Sequence, residues 1–461
     1  MKPTRPHSAP AQLGEIEAPV SIEKPVYGGA FLARVEGKAV FVPLTLPGEQ
    51  ARIRITEDKR GYATAEADEI VSAAPERVVP ACRHFGACGG CHYQHADYET
   101  QLAFKQIILR ETLERGGVRA PDEIAVLSAQ AWAYRNRIRL AFDANGNPGY
   151  RGRRSHAVVS IAECPIAASL LVKAAQVFAE VARQSSPSLR PTEISLFCDA
   201  TETALLASVF TASAPKIDFD DFARALAQRI PALRGMELIV EDGRGDRNRA
   251  QPPRTIAQWG EPSLAYRAAG FDYRVDLGAF FQVNRWLLDR FVESVIEPVI
   301  ETLDDRVTAG NKGTLAWDLF AGVGLFARKL TASFDRVVAV ESAPSATQAL
   351  AENLRGTAGS VVRASTLDFL RRAGKAGRTQ PIAPDLIVVD PPRTGLGADI
   401  TTLLAEIAAP RLVYVSCDPA TLARDLRALL ASGYAIQSLT LADLFPQTFH
   451  LETVVHVRRS C

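Results

Sequence analysis

The chain has 461 residues, 47% of them hydrophobic, and 53 Lys and Arg against 52 Asp and Glu give a net charge of +1. That length is too great for one compact domain and suits about three, and the apolar content is ample for their cores. No run of about 20 apolar residues occurs, which excludes a membrane-spanning helix, while near-neutrality leaves any binding of a polyanion to local patches.

Residues 1–14 are rich in proline and polar side chains and are expected to be disordered. Over 15–74, short apolar runs at 17–24, 28–35, 39–42, 49–56 and 62–71 alternate with turns marked by Gly28, Gly29, Gly37, Gly48 and Gly61. This is the pattern of five strands forming a small barrel. Arg52, Arg54, Lys59 and Arg60 are expected to form a phosphate-contacting edge, with a merely solvated basic face as the alternative.

Cys82, Cys88 and Cys91 come next, separated by five and then two residues, and Cys164 stands later in Glu163-Cys-Pro165. Four cysteines are the ligand count of an iron-sulfur cluster. Zinc is the competing reading, because His84, His92 and His95 lie close by and Cys/His sets bind it. With Cys198, Cys417 and Cys461 the total is seven, which fits a reducing cytoplasm better than a disulfide framework.

The spacing of Leu102, Ile107, Ile108 and Leu113 predicts a core-facing helix over 99–115, docked on the catalytic region. Arg135, Arg137 and Arg139 alternate at period two, so a strand over 134–140 is expected to carry them on one face. With Arg151, Arg153 and Arg154 after a turn they suggest an RNA path, an ordinary salt-bridged surface being the alternative. Residues 243–254 read as a polar, arginine-rich loop.

Further on, an apolar strand runs into Asp318-Leu-Phe-Ala-Gly-Val-Gly324 and then a helix through Arg328 to Thr331. Gly322 and Gly324 let backbone approach a ligand closely, and Glu341, closing the next strand, is the acid that grips ribose hydroxyls in such loops. The loop lacks the three-glycine fingerprint that holds a pyrophosphate, which favours S-adenosylmethionine over a dinucleotide and places Asp318 toward the methionine end. A strand over 384–390 ends in Asp390, and Pro391-Pro392 forms a rigid ledge beside it.

A third strand stops at Cys417, followed by Asp418 and Pro419, at the sheet edge where α/β folds present their chemistry. Cys417 is the candidate nucleophile, with a core cysteine as the alternative. After a strand over 434–441, Glu452 stands at the entrance to a final strand beside Leu451, Val454 and Val455, where partial desolvation would raise its proton affinity and suit it to base work. His450 and His456 read as hydrogen-bond partners.

These residues carry a resemblance. Phe280-Phe-Gln-Val-Asn284, the glycine loop, Glu341, the Asp390-Pro-Pro-Arg393 turn, the segment from Cys417 to Leu426 and the segment from His450 to Val454 resemble, in order, the RNA uridine-5 methyltransferases, which make 5-methyluridine in ribosomal and transfer RNA. The resemblance implies that Gln282, Phe320, Glu341 and Asp390 contact S-adenosylmethionine, that Cys417 is the nucleophile and that Glu452 is the base. Leu325, where the family usually has a polar residue, and Ser365, where it often has Asp or Asn, complete the cofactor-binding set. The cysteine spacing resembles the family's 4Fe-4S motif, and 15–74 resembles the TRAM domain, an oligonucleotide-binding barrel of RNA-modifying enzymes.

The chemistry needs these residue types. Carbon 5 of uracil is too weakly nucleophilic to attack a sulfonium methyl until a thiolate has added at carbon 6, and a base must then remove the carbon 5 proton. Cys417 is therefore expected in surroundings that lower its pKa, and the target nucleotide is expected to flip out and stack on Phe280 or Phe281. The fold expected is α/β: a TRAM barrel over 15–74, a central α+β iron-sulfur and RNA-binding region over 75–275, and a Rossmann-like methyltransferase domain over 276–461. The partner is RNA, 23S ribosomal RNA before transfer RNA, and the protein is a cytoplasmic monomer with no membrane contact. Cytosine methylation is the near alternative, though it usually needs a second cysteine. A non-catalytic iron-sulfur RNA-binding protein is the distant one, and it would have no use for both Cys417 and Glu452.

Overall fold

The computed structural model describes residues 18–185, 188–241, 252–303, 312–376 and 383–460. The terminus expected to be disordered, most of the 243–254 loop and Cys461 lie outside the described residues. The chain divides into two compact units, Met1–Ile108 with Gln447–Phe449, and Leu109–Pro446 with His450–Cys461.

In the first unit β1 (Val20–Val26), β2 (Ala30–Val35), β3 (Lys38–Pro43), β4 (Gln50–Asp58) and β5 (Tyr62–Ser72) close a barrel in the order β1-β2-β3-β5-β4. Alternation puts Ile22, Phe31, Ala33, Val40, Val42, Ile53 and Ala65 inside. Val35 pairs with Lys38, so Glu36 and Gly37 alone make the turn, and their φ values of 49° and 80° give the mirror-image turn that matches strand twist. The basic edge is not bare. Arg52 pairs with Glu69 and Arg54 with Glu66 and Asp68, because cross-strand partners on β5 are acidic, while Lys59 pairs with Glu57 of β4.

The cysteine segment after β5 is made of turns and isolated bridges rather than helix or strand. His95, one of the histidines of the zinc reading, is buried beside Phe31 and bonds the Thr45 carbonyl through Nε2. α1 (Tyr98–Arg115) crosses the boundary between the units.

In the second unit β6 (Ala125–Leu127) precedes a seven-stranded sheet built from β7 (Arg137–Phe142), β8 (Pro148–Arg151), β9 (Val158–Ser160), β10 (Pro191–Cys198), β11 (Leu205–Thr211), β12 (Leu233–Val240) and β13 (Arg254–Gly260). Its order is β13-β12-β11-β10-β7-β8-β9. Leu171, Phe178 and Val181 of α2 (Ser169–Ser185) and Phe222 and Leu226 of α3 (Phe219–Arg229) join strand residues Ile194, Val209 and Met236 in one core. β7 begins at Arg137, later than expected. Tyr134 and Asn136 leave the ladder to bond elsewhere: the Tyr134 hydroxyl donates to the Pro446 carbonyl, and Asn136 Nδ2 donates to Gln282 O and Tyr266 Oη.

The hairpin β14 (Ser263–Ala268) and β15 (Phe271–Asp276) leads through α4 (Leu288–Leu303) into the catalytic sheet. There β16 (Gly313–Leu319), α5 (Leu325–Leu330), β17 (Phe334–Glu341), α6 (Pro344–Asn353), β18 (Gly359–Arg363), α7 (Thr366–Ala376), β19 (Leu386–Val389), α8 (Gly397–Ile407), β20 (Arg411–Ser416), α9 (Pro419–Ala431), β21 (Tyr434–Ala442) and β22 (Thr453–Arg459) alternate. With β6 they form a doubly wound sheet in the order β18-β17-β16-β19-β20-β22-β21-β6, parallel except for β22. Strands such as β19, buried along all four residues, are continuous apolar runs because helices cover both faces. The strand order reverses between β16 and β19, where such sheets open a crevice at their carboxyl ends. No helix among the described residues is long and apolar enough to cross a membrane.

Candidate active site

Register gathers the candidates. Leu319 pairs with Val389, Val389 with Tyr414, and Ser416 with Thr453, so Phe320, Asp390, Cys417 and Glu452 each stand one residue beyond a strand at the same edge of the sheet. β22 runs against its neighbours, which is why the start of β22 meets the end of β20. The Thr453 hydroxyl donates to the Ser416 carbonyl at 3.1 Å and closes that rung.

At the glycine loop Phe320 has φ 66° and Gly322 φ 54°, and a Cβ added to Gly322 would meet open space. Glu341 shapes this loop rather than hanging free. Its Oε2 accepts the Gly322 N–H at 2.9 Å, and Oε1 accepts those of Ser342 and Ala343, each at 2.7 Å. Asp318 is fully buried: Oδ2 accepts the Ala327 N–H at 2.8 Å while Oδ1 has no partner. Burial first, then the charges of Asp390 and Glu341, push its pKa up to about 8. An open glycine backbone beside an unmatched buried acceptor fits a nucleoside cofactor with donor groups. The Leu325 side chain belongs to the hydrophobic core, as an apolar residue opening α5 must, and the Ser365 hydroxyl accepts the Asp368 N–H at 3.1 Å as a cap of α7.

Cys417 is half-buried in the turn between β20 and α9. Asp418 caps α9 by accepting the N–H groups of Ala420 and Thr421, with Pro419 opening the helix. Contrary to expectation, the thiol pKa is pushed up to about 11, by burial and then by the charges of Glu452 and Asp390, with Arg393 acting the other way. Glu452 is buried, and burial followed by Asp390 holds its pKa well above the ordinary carboxylate value, again against Arg393. Burial likewise lifts Asp390 to about 7. Arg393 is thus the cation facing Cys417 and Glu452, and its Nη2 lies 3.1 Å from His450 Nδ1. His456 bonds the Ser294 carbonyl through Nε2.

The two phenylalanines separate cleanly. Phe281 is buried against Tyr266, Tyr273 and Phe197, whereas Phe280 is 66% exposed. Gln282 is buried and its carbonyl is held by Asn136 at 3.1 Å. Asn284 caps the next turn through the N–H groups of Trp286 and Leu287, and its Nδ2 donates to Leu444 O at 3.2 Å. Sequence reasoning missed Asn136 and Asn284, and also Asp425. Asp425 accepts from Tyr414 Oη at 2.8 Å and Leu396 N at 2.7 Å, and so fixes the loop that follows Arg393. The available signal was a lone acid on the apolar side of α9.

The arginines do not form one bare basic face. Arg137 lies 4.3 Å over the Phe197 ring beside a small cavity lined by Ser195, Ser208 and Asp276, and its Nε has no partner. Burial lowers its pKa to about 10. Arg139 pairs with Glu193 and Glu241, and Arg151 with Glu193. Arg135, ahead of β7, donates to Tyr134 Oη at 3.4 Å and lies 5.9 Å from the Phe445 ring.

Cys82, Cys88, Cys91, Cys164, Cys198 and Cys417 are not joined in disulfides. Cys88 Sγ accepts the Gly90 N–H at 3.4 Å. Cys164 Sγ lies among the backbone N–H groups of Ile166 and Ala167, and burial raises its pKa. Among the described residues no three His, Cys, Asp or Glu side chains are arranged to hold a metal ion.

Comparison with known proteins matches residues 97–460 to the tRNA (Uracil-5-)-methyltransferase family and residues 14–67 to the TRAM domain. The chain is 30% identical to the 23S rRNA (uracil(1939)-C(5))-methyltransferase RlmD of Halomonas elongata, over 98% of this chain and 95% of that one. It is 32% identical to the RlmD of Chromohalobacter salexigens, over 95% and 89%. Among solved structures, the tRNA (uracil-54, C5)-methyltransferase of Pyrococcus abyssi in complex with S-adenosyl-L-homocysteine superposes with a TM-score of 0.72 at 23% identity, covering 95% of this chain and 99% of that one, a likeness of fold. The chain belongs to the tRNA (uracil-5-)-methyltransferase family and is an S-adenosylmethionine-dependent RNA (uracil-5-)-methyltransferase carrying a TRAM domain.

Proposed function

We propose that this protein methylates carbon 5 of one uridine in 23S ribosomal RNA, with Cys417 as nucleophile and Glu452 as base. The observation that carries the reading is the rung from Ser416 to Thr453, which sets the thiol and the buried carboxylate at adjoining strand ends. Relatives at 30 and 32% identity named for 23S rRNA support the choice of substrate. Transfer RNA is the second reading, because the Pyrococcus abyssi enzyme that shares this fold is a tRNA methyltransferase.

In this mechanism Cys417 Sγ, as thiolate, bonds to carbon 6 of the uracil and the displaced electron pair moves to the carbon 4 oxygen as an enolate. Bound S-adenosylmethionine would supply an electrophilic methyl group to the carbon 5 that the enolate makes nucleophilic, its sulfonium–methyl bond breaking to leave S-adenosyl-L-homocysteine. The Glu452 carboxylate then accepts the carbon 5 proton, the carbon 5–carbon 6 double bond re-forms, and the bond to Cys417 breaks to return the thiolate. Arg393 and the N-terminus of α9 favour that thiolate against the burial that raises its pKa. Protonation of Asp390 removes one of the charges that oppose it, while Glu452 acts as the carboxylate. Asp318, Phe320, Glu341, Gln282 and Asp390 would hold the cofactor, and exposed Phe280 would stack on the extruded base.

The domain division at 15–74, 75–275 and 276–461 is part of this reading, as are a cytoplasmic location and a monomeric state. So is a 4Fe-4S cluster on Cys82, Cys88, Cys91 and Cys164, which rests on their spacing and on the N–H groups directed at Cys88 and Cys164. It has no role in methyl transfer, which needs no redox step. Transfer of a labelled methyl group from S-adenosylmethionine to separate 23S rRNA fragments and tRNA tests the substrate. Product on a 23S fragment and none on tRNA is expected, and the reverse result would select the second reading.

A further inference from the structure

Three large aromatic side chains are exposed among the described residues, Phe280 at 66%, Trp286 at 39% and Trp132 at 37%. Phe280 and Trp286 lie six residues apart in one loop. Trp286 Nε1 donates to the Trp132 carbonyl at 3.1 Å, and the bridge between Arg135 and Asn284 lays the segment 132–135 along that loop. Trp286 is held in place from beneath. The Arg285 guanidinium lies 4.2 Å from its ring centroid, and is itself fixed by Glu202 at 2.6 Å and by the carbonyls of Ala133 and Ala200. From Arg135 a run of contacts leads inward: Arg135 to the Phe445 ring, Phe445 to His450 at 5.6 Å, and His450 to Arg393 beside Cys417.

An exposed tryptophan costs hydrophobic free energy unless something covers it, and two together with fixed cations beside them suit the face of a nucleobase. Stacking of this kind is tolerant of base identity, because every base has a π-face. We propose that Trp132 and Trp286 form a stacking platform for an unpaired base next to the target uridine, so that extrusion of the target leaves its neighbour supported. This rests on the RNA-methylating reading and adds the single-stranded state of the flanking nucleotide to it. The occupant is RNA rather than protein because Trp286 shares its loop with Phe280, and contacts from Arg135 in the 132–135 segment lead through Phe445 and His450 to the cation Arg393 beside Cys417.

The test uses the full chain and a labelled short oligouridylate as probe. Two of the four tryptophans are the proposed platform, so binding should quench tryptophan emission in the wild type. Trp132→Ala and Trp286→Ala should each weaken binding by about tenfold, as expected for loss of one stacked base. Trp286→Phe, which keeps a ring but not the Nε1 bond, should stay near the wild-type affinity, and S-adenosylmethionine binding by calorimetry should be unchanged in all three. Unaltered affinity in the alanine variants would overturn the platform, as would Phe behaving like Ala, or no oligouridylate binding by the wild type. Concentration-dependent self-association that Trp286→Ala abolishes would assign the patch to a protein contact and overturn it too. Covalent adduct formation on 5-fluorouridine RNA by the wild type separates the two claims: if the adduct forms while the platform results fail, only the platform is lost.

Discussion

The catalytic edge and the cysteine segment make opposite use of sequence distance. Phe320, Asp390, Cys417 and Glu452 are spread over more than a hundred residues, yet each stands one step past a strand end, so sheet register positions them without further help. Cys82, Cys88 and Cys91 are neighbours in sequence but sit on turns, and no regular element fixes their sulfur atoms relative to one another. A motif on strand ends therefore carries its geometry with it. A motif on turns carries only its ligand count, and its geometry waits on the group it binds.

The sharpest way to break this contrast is Cys417→Ala, for which no methyl transfer and no covalent RNA complex should be detected while S-adenosylmethionine binding persists. Glu452→Gln should lower turnover by about 10² to 10⁴, the usual range for a general base, and should accumulate the RNA adduct on denaturing gels. Persistence of full turnover in that variant would move the base elsewhere. On the other side of the comparison, Cys88→Ala should lose bound iron and visible absorption in protein purified without oxygen, with S-adenosylmethionine affinity intact. A zinc content in place of iron would select the competing metal.

The frame beneath the edge is tested by Asp425→Ala, which strands the Tyr414 hydroxyl and the Leu396 N–H. A loss of about 3 kcal/mol in urea unfolding is expected. A further effect is on pH dependence. Asp318 and Asp390 have folded-state pKa values raised to about 8 and about 7, above those of the unfolded chain, so the folded form binds the extra protons. Their contribution is fully present below about pH 4 and is lost as pH rises through 7 to 8. The Tm of the ligand-free protein should fall across that window, and Asp318→Asn should flatten the fall. The rate should move the other way, rising with pH as Cys417 and Glu452 give up protons.

Most of the edge was legible from sequence because its elements announce themselves: an apolar run, a glycine pair, an acid at the next strand end, a cysteine before Asp-Pro. The five barrel strands were legible for the same reason, their alternation and their glycines. What was not legible depended on partners distant in the chain. Phe280 and Phe281 are identical in kind, and only the Tyr266, Tyr273 and Phe197 cluster decides that Phe281 goes in and Phe280 stays out. At Leu325 and Ser365 the side-chain environment was not legible: the first packs into the core at the start of α5 and the second caps α7. The thiol of Cys417 was expected to be acidified, yet its own burial, and then Glu452 and Asp390 just beyond β22 and β19, outweigh one arginine. The arginines at 137 and 139 were read as an RNA path or a salt-bridged surface, and only neighbouring segments decide between them: Phe197 lies under Arg137, and Glu193 and Glu241 pair with Arg139.

The central claim is the covalent pairing of Cys417 with uridine, and its most direct measurement is a trap with 5-fluorouridine. The protein, purified without oxygen, would be incubated with S-adenosylmethionine and 23S rRNA or tRNA fragments carrying the fluorinated base. Fluorine at carbon 5 cannot leave as a proton does, so a denaturation-resistant complex with a 23S fragment, absent in Cys417→Ala, is the predicted result. No complex with any fragment, from protein that binds S-adenosylmethionine, would contradict the account.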